Sequence, residues 1–563
     1  MKKRFNYGFS IIEVILAAGL FMLFATGATV AIVQSYNINR LGEEQSIANQ
    51  YAAEGMEAVR SIKNQGFSNL TNSVGEGVIR SGGVWTFSGA DNTFGKYTRV
   101  ITIGDVYRNG SGNIVSSGGS LDPSTKKITV TTSWTAGPNR NDSVVLTSYL
   151  TNWRASYNYG GVLVYGDGGT TTDTIRYRII DATTGTWGTV STATDIDGAT
   201  TNKALRAVRL YSSPNRNEKV LISRHYNGSS QFIYSQVFNG TTWGNLASLS
   251  SWSAATFLDV RNFDGAYLAN GDFIAVYSDN TSVVKFRVWN GTTWSVQGSL
   301  QDLALNGGGI PVYIVARGRP GTNEVMTGFF GQAKDTNTQY FNGGSYTTAN
   351  WTLHARHASA APLNTKEYID FVWDTNNPTK GVLNHSNAST DKKMNVKVFT
   401  ANGSGGGSWS ATANTSNQGT LGALNIDRRP GIDQFIACDK DASNDIYCFR
   451  TDTTPAWVTP ANNILTTTTD TGIQRSFDIN FEASTGNQAI AVYSDNTATP
   501  KLKKYDPSIG SSGTFDANAT SLNALGGVVK TVKTRPLFIN DDILVLLADA
   551  NRRLYTIVWN GES

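Results

Sequence analysis

A single carboxylate, Glu13, stands inside an apolar run that extends from Phe9 to Val33. Three basic residues precede this run, namely Lys2, Lys3 and Arg4. An ionised carboxylate in hydrocarbon costs at least a few kcal/mol, so it pairs with a cation or takes up a proton. The chemistry that this arrangement predicts is therefore charge pairing or neutralisation of the carboxylate rather than bond making.

The apolar run is long enough to cross a bilayer, because about 25 residues form roughly 37 Å of helix. One interpretation is a signal anchor whose basic leader stays in the cytoplasm. A cleaved secretory signal is disfavoured, since the run is too long for its apolar core and no A-x-A-like site follows.

The motif Gly8-Phe9-Ser10-Ile11-Ile12-Glu13, followed by the apolar run, resembles the class III signal of type IV prepilins and pseudopilins. The resemblance implies that a prepilin peptidase cuts between Gly8 and Phe9 and that the new N-terminal Phe9 is methylated. It also implies that Glu13 is retained and pairs with the N-terminal amine of a neighbouring pilin subunit. The inner membrane then holds the protein before assembly.

Helical spacing continues beyond the apolar run and predicts one helix from Phe9 to Gln65 that ends at Gly66. The repeated positions are Ala48, Tyr51, Ala52, Met56, Val59 and Ile62. Residues 52–60 also look like the end of a pilin's long helix, whereas the proline found inside many pilin helices is missing here. The predicted organisation is a leader (1–8), a helix (9–66, with 9–33 in the membrane), a pilin-like antiparallel sheet (67–155) and a C-terminal domain (156–563).

The segment 67–155 reads as strands because it is rich in Val, Ile, Thr, Tyr and Trp. We expect a polar loop made of Asn109–Asn113 and Ser117–Asp122 between two of the strands. The predicted strands are Val84–Gly89, Tyr97–Arg108, Lys126–Trp134 and Ser143–Trp153.

From about Gly160 onward the chain repeats. The octapeptide Ile-Ala-Val-Tyr-Ser-Asp-Asn-Thr occurs at 274–281 and at 490–497, a separation of 216 residues or four times 54. Fainter copies fill the intervening steps and give eight candidate units. Most units have an aromatic residue in their later part, and these markers are Trp187, Trp243, Trp294, Trp351, Trp409, Trp457 and Phe515.

A period near 54 with four short strands per unit predicts a β-propeller of seven or eight blades, in which neighbouring sheets bury each other's faces. The first unit lacks an opening strand and the last a closing strand. We expect the recurring tryptophans to form the core between blades. A tandem of β-sandwiches fits less well, because such domains repeat nearer 100 residues. The predicted fold is thus mainly β, with one long N-terminal helix in an α+β pilin-like module and a C-terminal propeller.

The chain of 563 residues carries a net charge of +4 with dispersed basic residues, so nucleic acid is not an expected partner. The two cysteines, Cys438 and Cys448, lie at equal offsets from Ser443. A β-hairpin would place them opposite each other, and an oxidising compartment would let them form a disulfide. Two buried free thiols are the alternative.

No residue set predicts a catalytic centre, a metal site or a cofactor. The four histidines are scattered, and the close pair His354 and His357 is expected in a solvated loop. Acidic residues alternate over 439–445 as in a calcium loop, but the glycine and final glutamate of an EF-hand are missing. Gly-x-Thr-Trp at 240–243 and 291–294 is similar to the end of the Asp-box of sialidase propellers, although the aspartate is replaced in both copies.

These features together predict a minor or tip-proximal type IV pilin-like subunit that displays a propeller for adhesion or recognition. Its ligand would be a surface glycan or protein. We expect a single-pass location in the cytoplasmic membrane with the C-terminal domain outside, followed by the pilus or cell surface. Two alternatives stay open: a glycosidase or sialidase-like propeller enzyme displayed on a pilus, and a pseudopilin of type II secretion. An axis lined by arginines, tyrosines and acids would favour the enzyme.

Overall fold

The chain folds into two compact units, Met1–Ser156 and Tyr157–Ser563. The computed structural model describes residues 10–65, 67–109, 113–137, 140–151, 161–167, 173–180, 186–197, 203–253, 257–359, 367–387, 393–403, 406–416, 421–470, 472, 475–483, 486–537 and 541–561.

One helix, α1 (Ile11–Gln65), forms the start of the first unit. Its N-terminus is a capping box: the Ser10 N–H donates to Glu13 Oε2 at 3.1 Å, and the Ile12 N–H donates to Ser10 Oγ at 3.3 Å. Every side chain from Ile11 to Arg40 is exposed, whereas one face from Glu44 onward is buried. The helix therefore has an unpacked half and a packed half.

The packed half of α1 lies on an antiparallel sheet. The six-stranded sheet comprises β1 (Ser73–Glu76), β4 (Asn92–Phe94), β5 (Tyr97–Arg108), β6 (Ile114–Val115), β7 (Ser120–Gly137) and β8 (Arg140–Thr151). A separate hairpin comprises β2 (Val78–Ser81) and β3 (Val84–Phe87), and a short 3-10 helix covers Phe67–Asn69. The core between helix and sheet includes Ala52, Met56 and Val59 from α1 and Ile101, Ile128 and Val130 from the strands.

A buried carboxylate ties the packed half to the sheet. Glu44 accepts a hydrogen bond from Trp134 Nε1 at 3.0 Å and forms ion pairs with Lys96 at 2.5 Å and Arg40 at 3.8 Å. The hydrogen bond from Lys96 holds the pKa of Glu44 below its usual value. These contacts fix the position of α1 along the strands.

The predicted polar loop at Ser117–Asp122 is partly wrong, because β7 already begins at Ser120. The pairing between β5 and β7 shifts register, with Val106 opposite Asp122 but Asp105 opposite Lys126. The extra residues between these pairs include Pro123, which cannot donate to a sheet and is tolerated at such irregularities. A strand thus continues through a segment whose composition indicates a turn.

The second unit contains eight antiparallel sheets that follow each other along the chain, so the propeller has eight blades. Blade 1 comprises β9 (Val162–Gly166), β10 (Ile175–Ile179) and β11 (Ser191–Thr192). Blade 2 comprises β12 (Ala204–Ser212), β13 (Lys219–Tyr226), β14 (Ser230–Phe238) and β15 (Trp243–Ser253). Blade 3 comprises β16 (Phe263–Tyr267), β17 (Phe273–Tyr277), β18 (Lys285–Trp289) and β19 (Gly298–Ser299).

The middle blades keep the same order of strands. Blade 4 comprises β20 (Pro311–Gly318), β21 (Val325–Gly331), β22 (Thr336–Phe341) and β23 (Trp351–Leu353), with 3-10 helices at Leu303–Asn306 and Thr348–Asn350. Blade 5 comprises β24 (Ile369–Trp373), β25 (Lys380–His385), β26 (Asn395–Ala401), β27 (Gly407–Trp409) and β28 (Ala413–Asn414). Blade 6 comprises β29 (Leu421–Arg428), β30 (Phe435–Asp441), β31 (Ile446–Thr451) and β32 (Ile464–Thr466).

The last two blades complete the series. Blade 7 comprises β33 (Phe477–Phe481), β34 (Ala489–Tyr493), β35 (Lys501–Asp506), β36 (Thr514–Phe515) and β37 (Thr520–Ser521). Blade 8 comprises β38 (Val529–Pro536), β39 (Ile543–Asp549) and β40 (Leu554–Trp559). The repeated octapeptide begins within β17 and β34, the second strands of blades 3 and 7.

Apolar faces of consecutive blades pack together, and the first strands of successive blades adjoin around an axis. Trp351 is fully buried between blades 3 and 4, and Trp294, Trp409 and Trp457 pack partly buried against such cores, as the sequence predicts. The circle closes where Trp187 Nε1 of blade 1 donates to Thr556 Oγ1 of blade 8 at 2.8 Å.

Candidate functional site

The first strands of seven blades each place a charged or amide side chain at the same position of the repeat. These residues are Arg209, Asp264, Arg317, Asp370, Asn425, Asp478 and Arg535, spaced by 53 to 57 residues. We call them the axial charge ring. Because first strands line the axis of a propeller, residues far apart in sequence converge here.

Charges in the ring alternate and pair in blade order. Asp264 Oδ2 lies 3.3 Å from Arg209 Nη1 and 3.0 Å from Arg317 Nη1. Arg317 Nη2 lies 2.7 Å from Asp370 Oδ1, which links blades 4 and 5. On the other side of the circle, Asp478 accepts a hydrogen bond from Asn425 Nδ2. The ring therefore connects blades through ion pairs as well as through their apolar faces.

A second layer lies three residues earlier in blades 3, 5 and 7, at Arg261, Glu367 and Arg475. Arg475 Nη1 lies 3.2 Å from Glu367 Oε2, and Lys533 Nζ lies 4.0 Å from the same oxygen. The guanidinium of Arg261 stacks 4.3 Å from the ring centroid of Tyr313. The axis thus carries the arginines, tyrosine and acids that the enzyme alternative requires.

The charges around the acids at the axis distinguish the axial lining from a site of acid–base catalysis. Burial alone would raise the pKa of Asp264, but the guanidiniums of Arg209, Arg261 and Arg317 outweigh it, and the pKa lies well below its usual range. The pKa of Glu367 is also lowered, because the charges of Lys533 and Arg475 outweigh the effect of burial, which alone would raise it. A carboxylate held ionised in this way cannot act as a general acid near neutral pH.

The tyrosines at the axis are held protonated. Burial, together with the charge of Asp264, raises the pKa of Tyr211 well above its ordinary value, and its hydroxyl donates to Asp264 Oδ1 at 2.6 Å. Burial also raises the pKa of Tyr313. A phenol held neutral is a weak nucleophile, so the arrangement is better suited to joining blades or holding an anion than to covalent catalysis.

The assembly residues predicted from the sequence lie at the start of the chain. Gly8 and Phe9 are outside the described residues. Glu13 lies on the exposed half of α1, where it bonds to the backbone of Ser10. Among the residues that the structure describes, one helix, α1, is apolar and long enough to cross a membrane, with a mean hydropathy of 2.2 over its most apolar window, a property shared by anchors and signal sequences.

The two cysteines lie opposite each other in the hairpin of β30 and β31. Their sulfur atoms are 2.05 Å apart, and both residues are fully buried. The neighbouring acidic turn closes on its own backbone, where the Asp445 N–H donates to Asp441 Oδ1 at 2.8 Å.

The expectation that His354 and His357 lie in a solvated loop is wrong. Thr338 Oγ1 lies 3.0 Å from His354 Nδ1 and 2.9 Å from His357 Nε2, so one hydroxyl joins both rings. The His385 ring of blade 5 lies 5.9 Å from the His357 ring of blade 4. The physical reason is that stacked blades bring together residues separated by half a repeat. Burial lowers the pKa of His354 and His385 to about 4.

Sequence reasoning missed the axial charge ring altogether. A usable signal was present, because Arg, Asp, Arg and Asp recur at 209, 264, 317 and 370 with nearly the period of the octapeptide. An alignment of the repeats on hydrophobic positions alone does not reveal it.

No protein-family model and no curated protein matches this chain. Among solved structures it is similar to the BP39L lectin from Burkholderia pseudomallei, with 12% identity and a TM-score of 0.46, over 64% of this chain and 97% of the lectin. It is also similar to the Dos1 propeller, with 10% identity and a TM-score of 0.43, over 81% and 93%. A fucose-specific lectin from Aleuria aurantia gives 11% identity and a TM-score of 0.32, over 57% and 96%. These values carry no inference about a ligand.

Proposed function

We propose that this protein is a minor or tip-proximal type IV pilin-like subunit that displays its propeller as a recognition module on the cell surface. The observation that carries the proposal is the division of α1. One half packs on its own sheet, while the other half exposes a continuous apolar surface that contains a single carboxylate, Glu13.

The exposed half of α1 requires a partner outside the chain. Ile11, Phe21 and Phe24 are 78%, 73% and 77% exposed, and the side chains around them are similar. An apolar surface of this length is stable only in lipid or against other helices. A membrane before assembly and neighbouring pilin subunits afterwards would supply both environments in turn.

Glu13 would guide that exchange. Among residues 10–65 its carboxylate has only the Ser10 N–H at 3.1 Å, which is a weak compensation for a charge in hydrocarbon. The N-terminal amine exposed by cleavage before Phe9 would supply a full positive charge from a neighbouring subunit. Pairing the two charges would favour insertion in a single register.

The propeller would act as the displayed cargo. The second unit, Tyr157–Ser563, is much larger than the whole first unit, Met1–Ser156, so repetition at every position of a packed filament is sterically unfavourable. A minor subunit avoids that difficulty. Propellers carry variable loops on a rigid scaffold, which suits recognition of a glycan or a protein.

An enzyme on the filament is the second candidate, because the axis brings together Arg261, Tyr313 and Glu367. Charge pairing at the axis weighs against it. A screen of the full chain against neutral and acidic glycosides tests this candidate, and turnover that is lost in Tyr313→Phe would replace recognition by catalysis.

The assembly proposal is tested by Glu13→Ala in cells that express the remaining pilus machinery. Cleavage before Phe9 should be unchanged, whereas incorporation into sheared filaments should fall at least tenfold, because the docking charge is lost. Glu43→Ala is the matched control, since Glu43 is an exposed acid on the same helix beyond the apolar run. Replacement of Gly8 by Val should instead block cleavage. Normal incorporation of Glu13→Ala would reject the proposal.

A further inference from the structure

The seam between blades 8 and 1 differs from the seam between blades 2 and 3. Trp294 of blade 3 donates from Nε1 to the backbone oxygen of Asn245, which lies on the fourth strand of blade 2, at 3.1 Å. Trp187 occupies the equivalent place in blade 1, since it bridges Ile180 directly after β10 just as Trp294 bridges Trp289 at the end of β18. Blade 8 has three strands in the described part of the chain, so Trp187 meets Thr556 of the third strand instead.

A cavity of about 380 Å³ opens at this seam. Blade 1 contributes Tyr165, Arg178 and Trp187 to its lining, and blade 8 contributes Leu554 and Thr556. The volume is at the lower end of the range for small-molecule sites, which suits a single sugar ring or a ligand of similar size.

Strand alternation explains why polar side chains reach the cavity. Leu163 faces Arg178 and Tyr165 faces Arg176 across β9 and β10, which places these four on one face of blade 1. The opposite face packs on blade 2, where the Tyr177 ring lies 5.7 Å from the Trp243 ring. One face of blade 1 is therefore core, and the other is an accessible wall of aromatic and basic groups.

Two polar groups of this wall have no partner within the described ranges. The Tyr165 hydroxyl and the Arg178 guanidinium, both on half-buried side chains, make no hydrogen bond or ion pair there. The arginines at the axis are different, since Arg317 alone is paired with two carboxylates. A guanidinium without a partner has a strong preference for a carboxylate or another oxyanion.

We infer that the seam cavity binds one acidic saccharide unit, whose sugar ring lies against Trp187 and Tyr165 and whose carboxylate pairs with Arg178. The inference rests on the proposed recognition function of the propeller and gives that function a ligand class. An aromatic face covers the C–H face of a sugar ring, while a guanidinium fork matches the two oxygens of a carboxylate. Of the described residues that line the cavity, two are arginines, Arg178 and Arg552, and one is a carboxylate, Asp167, which favours an anion.

The test uses the full chain in a polyoxyethylene detergent, which carries no sugar headgroup. Calorimetric titration compares D-glucuronic acid with D-glucose, and glucose 6-sulfate distinguishes a carboxylate from another oxyanion. We expect glucuronic acid to bind at least tenfold more tightly than glucose. Equal affinity for both, or no binding of either, would overturn the inference, and a preference for the sulfate would reject the carboxylate.

Variants then locate the site. Arg178→Gln should weaken glucuronic acid binding at least tenfold, and Trp187→Ala should abolish it. Arg176→Gln is the matched control, because Arg176 lies on the same strand and face but bonds Thr192 Oγ1 at 3.0 Å and does not line the cavity. Its affinity should stay within twofold of the unmodified chain. An unchanged affinity in Arg178→Gln, with unfolding like that of the unmodified chain, places any site elsewhere and rejects the inference.

Binding of the full chain to intact glycan or protein surfaces distinguishes a failure of the seam site from a failure of the proposed recognition function. If the chain binds a glycan or protein surface and Arg178→Gln binds it equally, recognition stands and the seam site fails. If the unmodified chain binds no surface, recognition itself fails. Displacement of the sugar by an extended peptide that pairs with β40 would overturn the saccharide assignment in favour of a peptide.

Discussion

Asp439 is a fully buried carboxyl group in β30, and both of its oxygens lack a hydrogen-bond partner in the described part of the chain. Burial, together with the charge of Asp441, raises its pKa well above the ordinary value. The folded protein therefore keeps Asp439 protonated to a higher pH than the unfolded chain does. The raised pKa of Asp439 thus favours the folded state at low pH, and this contribution to the free energy of unfolding is lost as the pH rises.

Asp439→Asn should therefore raise the stability at pH 7 by about 1–3 kcal/mol, because an amide stays neutral at no cost. Urea unfolding of the two proteins at pH 7 and at pH 3.5 measures the effect. The difference should shrink at pH 3.5, where the unfolded carboxyl is largely protonated as well. A less stable variant at pH 7 would show that the ionised form is held by a favourable contact.

Among the elements, the first strands of the blades have two roles, since each contributes one edge of a sheet and one member of the axial charge ring. Asp264 on β16 is the most connected member, with Arg209, Arg261 and Arg317 within 3.3 Å. It also accepts from the Ala316 N–H at 3.0 Å. The ring thus couples neighbouring strands that share no ladder of backbone hydrogen bonds.

Asp264→Asn should destabilise the propeller by on the order of 3 kcal/mol, because Arg209 and Arg261 then lose the carboxylate they share and only Arg317 keeps a carboxylate, Asp370. Thermal unfolding measures the loss, and added salt should restore part of it by screening the repulsion. Asp259→Asn is the control, since Asp259 is exposed, and it should change stability by less than about 0.5 kcal/mol. Equal effects of the two substitutions would contradict a role of the ring in stability.

The strands themselves were predictable from the sequence. Alternation and β-branched residues are local signals that predict strands starting near Phe273, Val325 and Phe435, and β17, β21 and β30 begin there. The ring was not predictable in this way. Arg209 and Arg535 are separated by more than 300 residues, and their common location exists only once the blades close into a circle.

The proximity of the histidines was likewise not predictable from local signals in the sequence. His357 and His385 are 28 residues apart and lie on different blades, so their proximity follows from the stacking of sheets rather than from any local pattern. The cysteine hairpin is the opposite case. Cys438 and Cys448 face each other within one hairpin, and symmetry about Ser443 is sufficient to place them.

At the scale of the whole molecule, the buried histidines make the propeller sensitive to acid. Burial lowers the pKa of His225, His354 and His385 to about 4 from an ordinary value of 6.5. As the pH falls below 6.5 the unfolded chain takes up protons that the folded chain refuses until about pH 4. Stability from these groups is complete above pH 6.5 and is lost between these two values.

Each of the three should contribute on the order of 3 kcal/mol to that loss. The midpoint of thermal unfolding should therefore fall steeply from pH 6.5 to pH 4, and His385→Gln should make the decrease shallower. The carboxylates of the axial charge ring act in the same direction, but only below about pH 4.5, where carboxyls of the unfolded chain take up protons. A flat profile between pH 6.5 and pH 4.5 would show that the histidines are protonated in the folded state.

The seam between blades 8 and 1 has a mechanical consequence. If the protein is incorporated into a filament as proposed, tension would reach the propeller through the chain at blade 1, beside the seam. There Trp187 holds blade 8 through one hydrogen bond to Thr556 across a partly open cavity. We expect this seam to yield first, and an occupant that spans it would raise the force at which the propeller opens. Recognition and resistance to pulling would then depend on the same few side chains.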